Sequence, residues 1–165
     1  MTDSDSDIDD YELALASHPG SVEGIEKGLV AFESGFGDLT SPDLATRMNA
    51  LYAPSIYFND TLHVFRQRDE LVDYLARTGA GLSESRVEVR QVVTDGADVF
   101  IRWQMTFKTR AAGKDIHSDS IGMTHLRFNP DGQVVLHQDF WDSGHGLYAH
   151  LPVVGFIVRR ARARL

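Results

Sequence analysis

The chain has 165 residues, 42% of them hydrophobic and 24% charged, with a formal net charge of −8 and no cysteine. This size and balance fit one soluble globular domain with a sizeable core. The missing cysteines exclude disulfides, thiolate metal sites and thiol catalysis. The acidic excess argues against a nucleic-acid-binding domain, which would normally carry a basic face.

The first ten residues, Met-Thr-Asp-Ser-Asp-Ser-Asp-Ile-Asp-Asp, hold five aspartates. They lack the basic and apolar regions of a secretory leader. No apolar run approaches the roughly 18 residues needed to span a bilayer. A cytoplasmic location is the expectation. Residues 1–20 are expected to form an acidic, disordered segment, because so few apolar groups cannot offset the entropy of ordering.

Val22 to Ser34 reads as a helix, with Ile25, Leu29, Val30 and Phe32 on or near one stripe. Gly35-Phe36-Gly37-Asp38 stops it. Ser41-Pro42 predicts a restart, with Ser41 as the N-cap and Pro42 at the first helical position. This second helix runs to about Leu51, with Leu44, Met48 and Leu51 inward. Pro54 ends the segment. Ser55 to Phe58 reads as a short strand, and Asn59-Asp60-Thr61 as a turn. Arg68 to about Ala80 is a third helix, with Leu71, Val72 and Leu75 as its apolar face.

From Arg86 the hydrophobic period changes to two. Strands are predicted over 86–94, 98–109, 115–128 and 133–142, with turns at Asp95-Gly96, around Gly113, and at Asn129-Pro130-Asp131-Gly132. In the second of these, Val99, Ile101, Trp103, Met105 and Phe107 share one face. Short connections predict an antiparallel meander. Residues 146–165 read as a C-terminal amphipathic helix with an Arg-rich end. The divisions expected are therefore 1–20, a domain over 21–145, and 146–165.

Helices followed by an antiparallel sheet make an α+β pattern. A cone-shaped sheet curved around the N-terminal helices would leave an open end, a natural ligand pocket. The last strand carries the most informative string, His137-Gln138-Asp139-Phe140-Trp141-Asp142. Side chains alternate along a strand, so His137, Asp139 and Trp141 share one face. If that face is internal, an imidazole, a carboxylate and an indole meet inside the pocket.

Several strings resemble the nuclear transport factor 2-like superfamily, which includes ketosteroid isomerase, scytalone dehydratase and the SnoaL-like polyketide cyclases. They are Leu51-Tyr52-Ala53-Pro54-Ser55-Ile56, Phe58-Asn59-Asp60, Gln67-Arg68-Asp69-Glu70-Leu71, Thr124-His125-Leu126-Arg127-Phe128-Asn129, Asp131-Gly132-Gln133-Val134-Val135 and Phe140-Trp141-Asp142. The resemblance covers about residues 22–142. It implies a cone fold and an inward-pointing Trp141, and by alternation an inward His137 and Asp139. It places Asp60 where ketosteroid isomerases carry their general base and Tyr52 where they carry a supporting tyrosine. Their protonated oxyanion-hole aspartate corresponds to Thr124, and their oxyanion-hole tyrosine falls near Val30 or Phe32. With that donor pair absent, steroid isomerisation is not expected.

The resulting expectation is a pocket for a small hydrophobic molecule. Cofactor-free acid/base chemistry of the isomerase, dehydratase or polyketide-cyclase type would use Asp60, His137 and Asp139. Tyr52, Trp103, Thr124 and Trp141 would contact the ligand. The alternative is a non-catalytic ligand-binding or dimeric scaffold protein of the same fold. No cofactor is expected, since no P-loop, dinucleotide fingerprint or nucleophilic serine motif appears. No metal is expected either: His117 and His125 are eight residues apart, and His137, His145 and His150 lack compact ligand spacing. A homodimer through the outer sheet face is the expected assembly. Membrane contact through the arginine tail is the weaker alternative to a solvated helix end.

Overall fold

Hydrophobic periodicity switches from helical to alternating as the chain proceeds, and the fold follows that switch. The computed structural model describes residues 3–111, 113–142 and Arg160. Helix α1 spans Asp3–Ser17, and a 3-10 turn at Val22–Gly24 leads into α2, Ile25–Phe36. Then come α3 (Leu44–Leu51), β1 (Tyr52–Asn59), β2 (Val64–Gln67) and α4 (Arg68–Ala80). The meander follows as β3 (Leu82–Asp95), β4 (Asp98–Ala111), β5 (Lys114–Phe128) and β6 (Val134–Trp141).

One six-stranded sheet has the order β2-β1-β6-β5-β4-β3. Its pairings are antiparallel except one: β1 lies parallel to β6, with Phe58 opposite His137. The four meander strands pair antiparallel as expected, and the earlier strand β1 adds the one parallel pairing. The concave face carries Val99, Ile101 and Trp103 of β4, Leu126 and Phe128 of β5, and Val134 of β6, packed against α2, α3 and α4. Gly28 makes the α2 contact close: a Cβ there would lie 2.3 Å from the Phe128 ring. Burying this apolar surface is the main driving force for docking the helices.

Three local expectations are corrected. First, residues 3–17 are helical rather than disordered. Tyr11, Ala14 and Leu15 find an apolar seat on Tyr57 and Leu136 of the outer sheet face, which the acidic composition concealed. Second, α3 begins at Leu44, with Asp43 and not Ser41 as its N-cap. Ser41 instead donates to Asp43 Oδ1 at 2.5 Å and closes a turn. Third, Val30 is 68% exposed and lies off the buried stripe. The strand Val64–Gln67 was not anticipated, because its four residues are mostly exposed and carry no clear alternation. The C-terminal helix expected over 146–165, with His145, His150 and all its arginines except Arg160, lies outside the described residues. Among the described residues no helix is long and apolar enough to cross a membrane.

Helix α1 is held by a polar cluster as well as by its apolar face. The Tyr11 hydroxyl meets His125 Nδ1 at 2.6 Å, and His125 Nε2 meets Asp98 Oδ1 at 2.7 Å. Arg127 donates from Nε to the same carboxylate oxygen and from Nη1 to the Leu15 and His18 carbonyls. A guanidinium thereby caps the last turn of α1, where carbonyls lack helical partners. His125 is 3% exposed beneath this helix.

Candidate functional site

Register explains how the site assembles. On the concave face Trp103 pairs with Gly122 and Ile101 with Thr124. Across the next ladder Gly122 pairs with Trp141, Thr124 with Asp139 and Leu126 with His137. Thr124 and Asp139 are thus direct neighbours, with His137 two residues back on the same face. Gly122 stands between two tryptophans in one row, and its missing side chain lets the Trp103 indole lie directly over it. Their ring centroids lie 6.4 Å apart.

The polar groups form one chain. Tyr52, buried at the start of β1, meets His137 Nδ1 at 2.8 Å. His137 Nε2 lies 3.0 Å from Asp139 Oδ1. Thr124 donates its hydroxyl to that same oxygen and accepts from Trp103 Nε1 at 2.8 Å. The bonds fix the histidine tautomer. Burial pushes the Tyr52 phenol well above its ordinary range, aided by the Asp139 and Asp60 charges, so it keeps its proton and donates to Nδ1. The ring's N–H is then at Nε2, aimed at Asp139. Phe58 lies 4.5 Å from the His137 ring, centroid to centroid, with Phe36 at 5.8 Å.

Asp60 has a different environment. Its Oδ1 accepts the backbone amides of Leu62 and His63 at 2.9 and 2.8 Å. Its Oδ2 accepts the Tyr74 hydroxyl at 2.6 Å. Its carbonyl accepts Trp141 Nε1 at 2.9 Å. Both carboxylate oxygens are therefore engaged in shaping the turn after β1, where Thr61 has a φ of 71°. Tyr74 is pushed up by burial and by Asp60, which holds it as a donor.

These groups surround a cavity of about 240 Å³. Asp60, Trp103, Thr124, His137, Asp139 and Trp141 all line it, as do Phe32, Phe36 and Phe58 on its apolar side. Tyr52 does not reach the cavity and stands behind His137. Asp139 has 15% side-chain exposure. Its Oδ2 has no hydrogen-bond partner among the described residues, so it is the polar atom left for an incoming molecule. Two contributors escaped the sequence reading. Tyr74 could have been placed by its position in α4, one turn from Leu71. The Trp103–Thr124 bond needed the strand register, which no local string supplies. Among the described residues no three His, Asp or Glu side chains come together to hold a metal ion.

Comparison with known proteins places the fold. Solved structures with the same fold include a chain from Jannaschia sp. CCS1 provisionally named a SnoaL-like polyketide cyclase. It is 19% identical, with 75% of this chain and 88% of that chain covered and a TM-score of 0.58. A hypothetical protein with a ketosteroid isomerase-like fold from Catenulispora acidiphila, solved in complex with trimethylamine, is 17% identical over 74% of this chain and 91% of that chain, TM-score 0.62. An epoxide hydrolase of M. tuberculosis, described as LEH-like, is 17% identical over 86% and 99%, TM-score 0.56. No curated protein matches the chain. The model of the SnoaL-like domain matches residues 17–137, well over half the sequence, and the chain belongs to that family.

Proposed function

We propose that the cavity binds a compact, largely apolar molecule and that Asp139 acts on it as a cofactor-free general base. The observation that carries this reading is the open Oδ2 of Asp139 at the floor of an apolar cavity, its other oxygen held by Thr124 and His137. A base must present a free lone pair within hydrogen-bond reach of the proton it removes. Asp139 does so and Asp60 does not, since three donors occupy the Asp60 carboxylate. His137 orients Asp139, and Tyr52 orients His137. The cavity volume lies below the ~300–1,000 Å³ usual for drug-sized ligands, which favours a small substrate over a polycyclic one. Proton removal from carbon opens all three reactions: the proton returns at another carbon in isomerisation, leaves with hydroxide as water in dehydration, and ends on the new alkoxide in aldol-type cyclisation.

Solvent exchange tests this without a known substrate. Small compounds with a C–H beside a carbonyl or iminium group are incubated in deuterium oxide and followed by proton NMR. Wild type should accelerate exchange for some of them, and Asp139→Asn should lose that acceleration while melting like wild type. Exchange that survives in Asp139→Asn rejects Asp139 as the base. Exchange that no compound shows leaves the non-catalytic binding alternative.

The cytoplasmic, homodimeric state is part of the same proposal. Support for the dimer comes from Ile121, Met123 and Phe140 on the outer sheet face, 70%, 44% and 49% exposed. Met123 and Phe140 are register partners, so the patch is continuous beside α1. Contiguous apolar surface of this kind commonly marks an interface.

A further inference from the structure

We propose that the cavity selects ligands whose polar end is a positively charged nitrogen, a compact aliphatic ammonium or iminium group. The inference rests on the pocket reading above and narrows its ligand class; it does not require Asp139 to be a base. Two observations carry it, one of charge and one of hydrogen-bonding capacity.

The first is the sign of the cavity. Asp60 and Asp139 both line it, and among the described residues no lysine or arginine does. His137 is engaged within the protein, its Nδ1 with the Tyr52 hydroxyl and its Nε2 with Asp139 Oδ1. An anionic ligand would therefore meet uncompensated negative charge in a site of low polarity, where such repulsion is poorly screened. A cation would meet a carboxylate and a set of aromatic walls, Phe36, Phe58, Tyr74, Trp103, Phe107 and Trp141. Aromatic rings attract ammonium groups through their quadrupoles, and more strongly when the cation is desolvated.

The second is the direction of the hydrogen bonds. The donors at the floor are already committed to protein acceptors. Trp103 donates to Thr124, Thr124 to Asp139, Tyr74 to Asp60 and Trp141 to the Asp60 carbonyl. His137 donates to Asp139. Among the described residues the polar atom left there without a partner is an acceptor, Asp139 Oδ2. A ligand that only accepts would find no partner and lose its hydration, whereas one that brings N–H groups would satisfy the site.

Both tryptophans of the chain line the cavity, so intrinsic fluorescence reports occupancy directly. Three near-isosteric probes separate the charges: neopentylammonium, neopentyl alcohol and pivalate, titrated at constant ionic strength. Neopentylammonium should bind about tenfold tighter than the alcohol, in line with a desolvated cation–π contact joined to an ion pair. Pivalate should give no saturable change. In Asp139→Asn the ammonium preference should fall to within about twofold, with Asp60→Asn as the comparison carboxylate. The idea is overturned if the alcohol or pivalate binds as tightly as the ammonium, if the ammonium gives no saturable change, or if Asp139→Asn keeps the full preference. This equilibrium is read without turnover. A failed exchange experiment leaves it standing, and a failed ammonium preference leaves the general-base reading to its own test.

Discussion

Gly122→Ala is the sharpest probe of how the site is built. An alanine Cβ would fall 2.3 Å from Trp103 Cζ2, 2.6 Å from Cη2 and 2.9 Å from Cε2. Ordinary contact needs about 3.5–4.0 Å, so the rigid indole must move by roughly 1 Å or more. That motion draws Nε1 away from the Thr124 hydroxyl, now 2.8 Å distant. Overpacking of this kind costs about 1–3 kcal/mol, and the lost buried hydrogen bond about 1 kcal/mol more. Replacing a strand glycine by alanine returns roughly 0.5–1 kcal/mol through the unfolded chain. The packing terms win, for a net destabilisation of about 1–3 kcal/mol. Urea unfolding followed by tryptophan fluorescence should show the midpoint lowered by about 1 M at unchanged slope. An unchanged or raised midpoint would refute the account, because it would mean that Trp103 does not rest on Gly122.

Acid should loosen α1 before it unfolds the domain. Burial holds His125 below its ordinary 6.5, against the pull of Asp98, and the Arg127 guanidinium holds Asp98 below 3.8. Both folded values are depressed, so the folded state binds fewer protons and stability rises with pH across each window. The His125 contribution is complete above about pH 6.5 and is lost as pH falls through its folded value; the Asp98 contribution goes at lower pH. Protection of the α1 amides, taken relative to their intrinsic exchange rate at each pH, should fall as pH drops below about 6.5, and His125→Gln should flatten that step; equal pH dependence in the variant would exclude His125. For the proposed dimer, Ile121→Glu should convert the sedimenting species from dimer to monomer, and a wild-type monomer at high concentration would reject the assembly.

How much of this was legible in the sequence depends on the range of the interaction. Helix α4 and the strands β4 to β6 follow from period and turn chemistry, because those signals sit within a few residues. The shared face of His137, Asp139 and Trp141 is legible for the same reason. Helix α1 was not, since its apolar side is three residues, Tyr11, Ala14 and Leu15, whose partners lie more than forty positions away. The distinct environments of the two aspartates were equally hidden. Asp60 and Asp139 look alike in sequence, and both line the cavity. Only the Asx turn and Tyr74 occupy the first, and only the β5–β6 register puts Thr124 beside the second.

That register also bears on the proposed charge preference. The resemblance to ketosteroid isomerases would put Thr124 where they carry a protonated carboxyl that donates toward the ligand. Here the hydroxyl turns to the neighbouring strand and donates to Asp139, so the floor loses a donor and keeps an acceptor. A site that stabilises a developing oxyanion needs donors aimed at the ligand. One that offers a carboxylate amid aromatic rings stabilises positive charge instead. Under the proposed cation preference, the loss of both donors, the carboxyl at Thr124 and the tyrosine near Val30 or Phe32, would turn the same scaffold toward a different class of charge. Restoring a carboxyl with Thr124→Asp would not by itself recover the isomerase arrangement, because Trp103 Nε1 would still claim one of its oxygens.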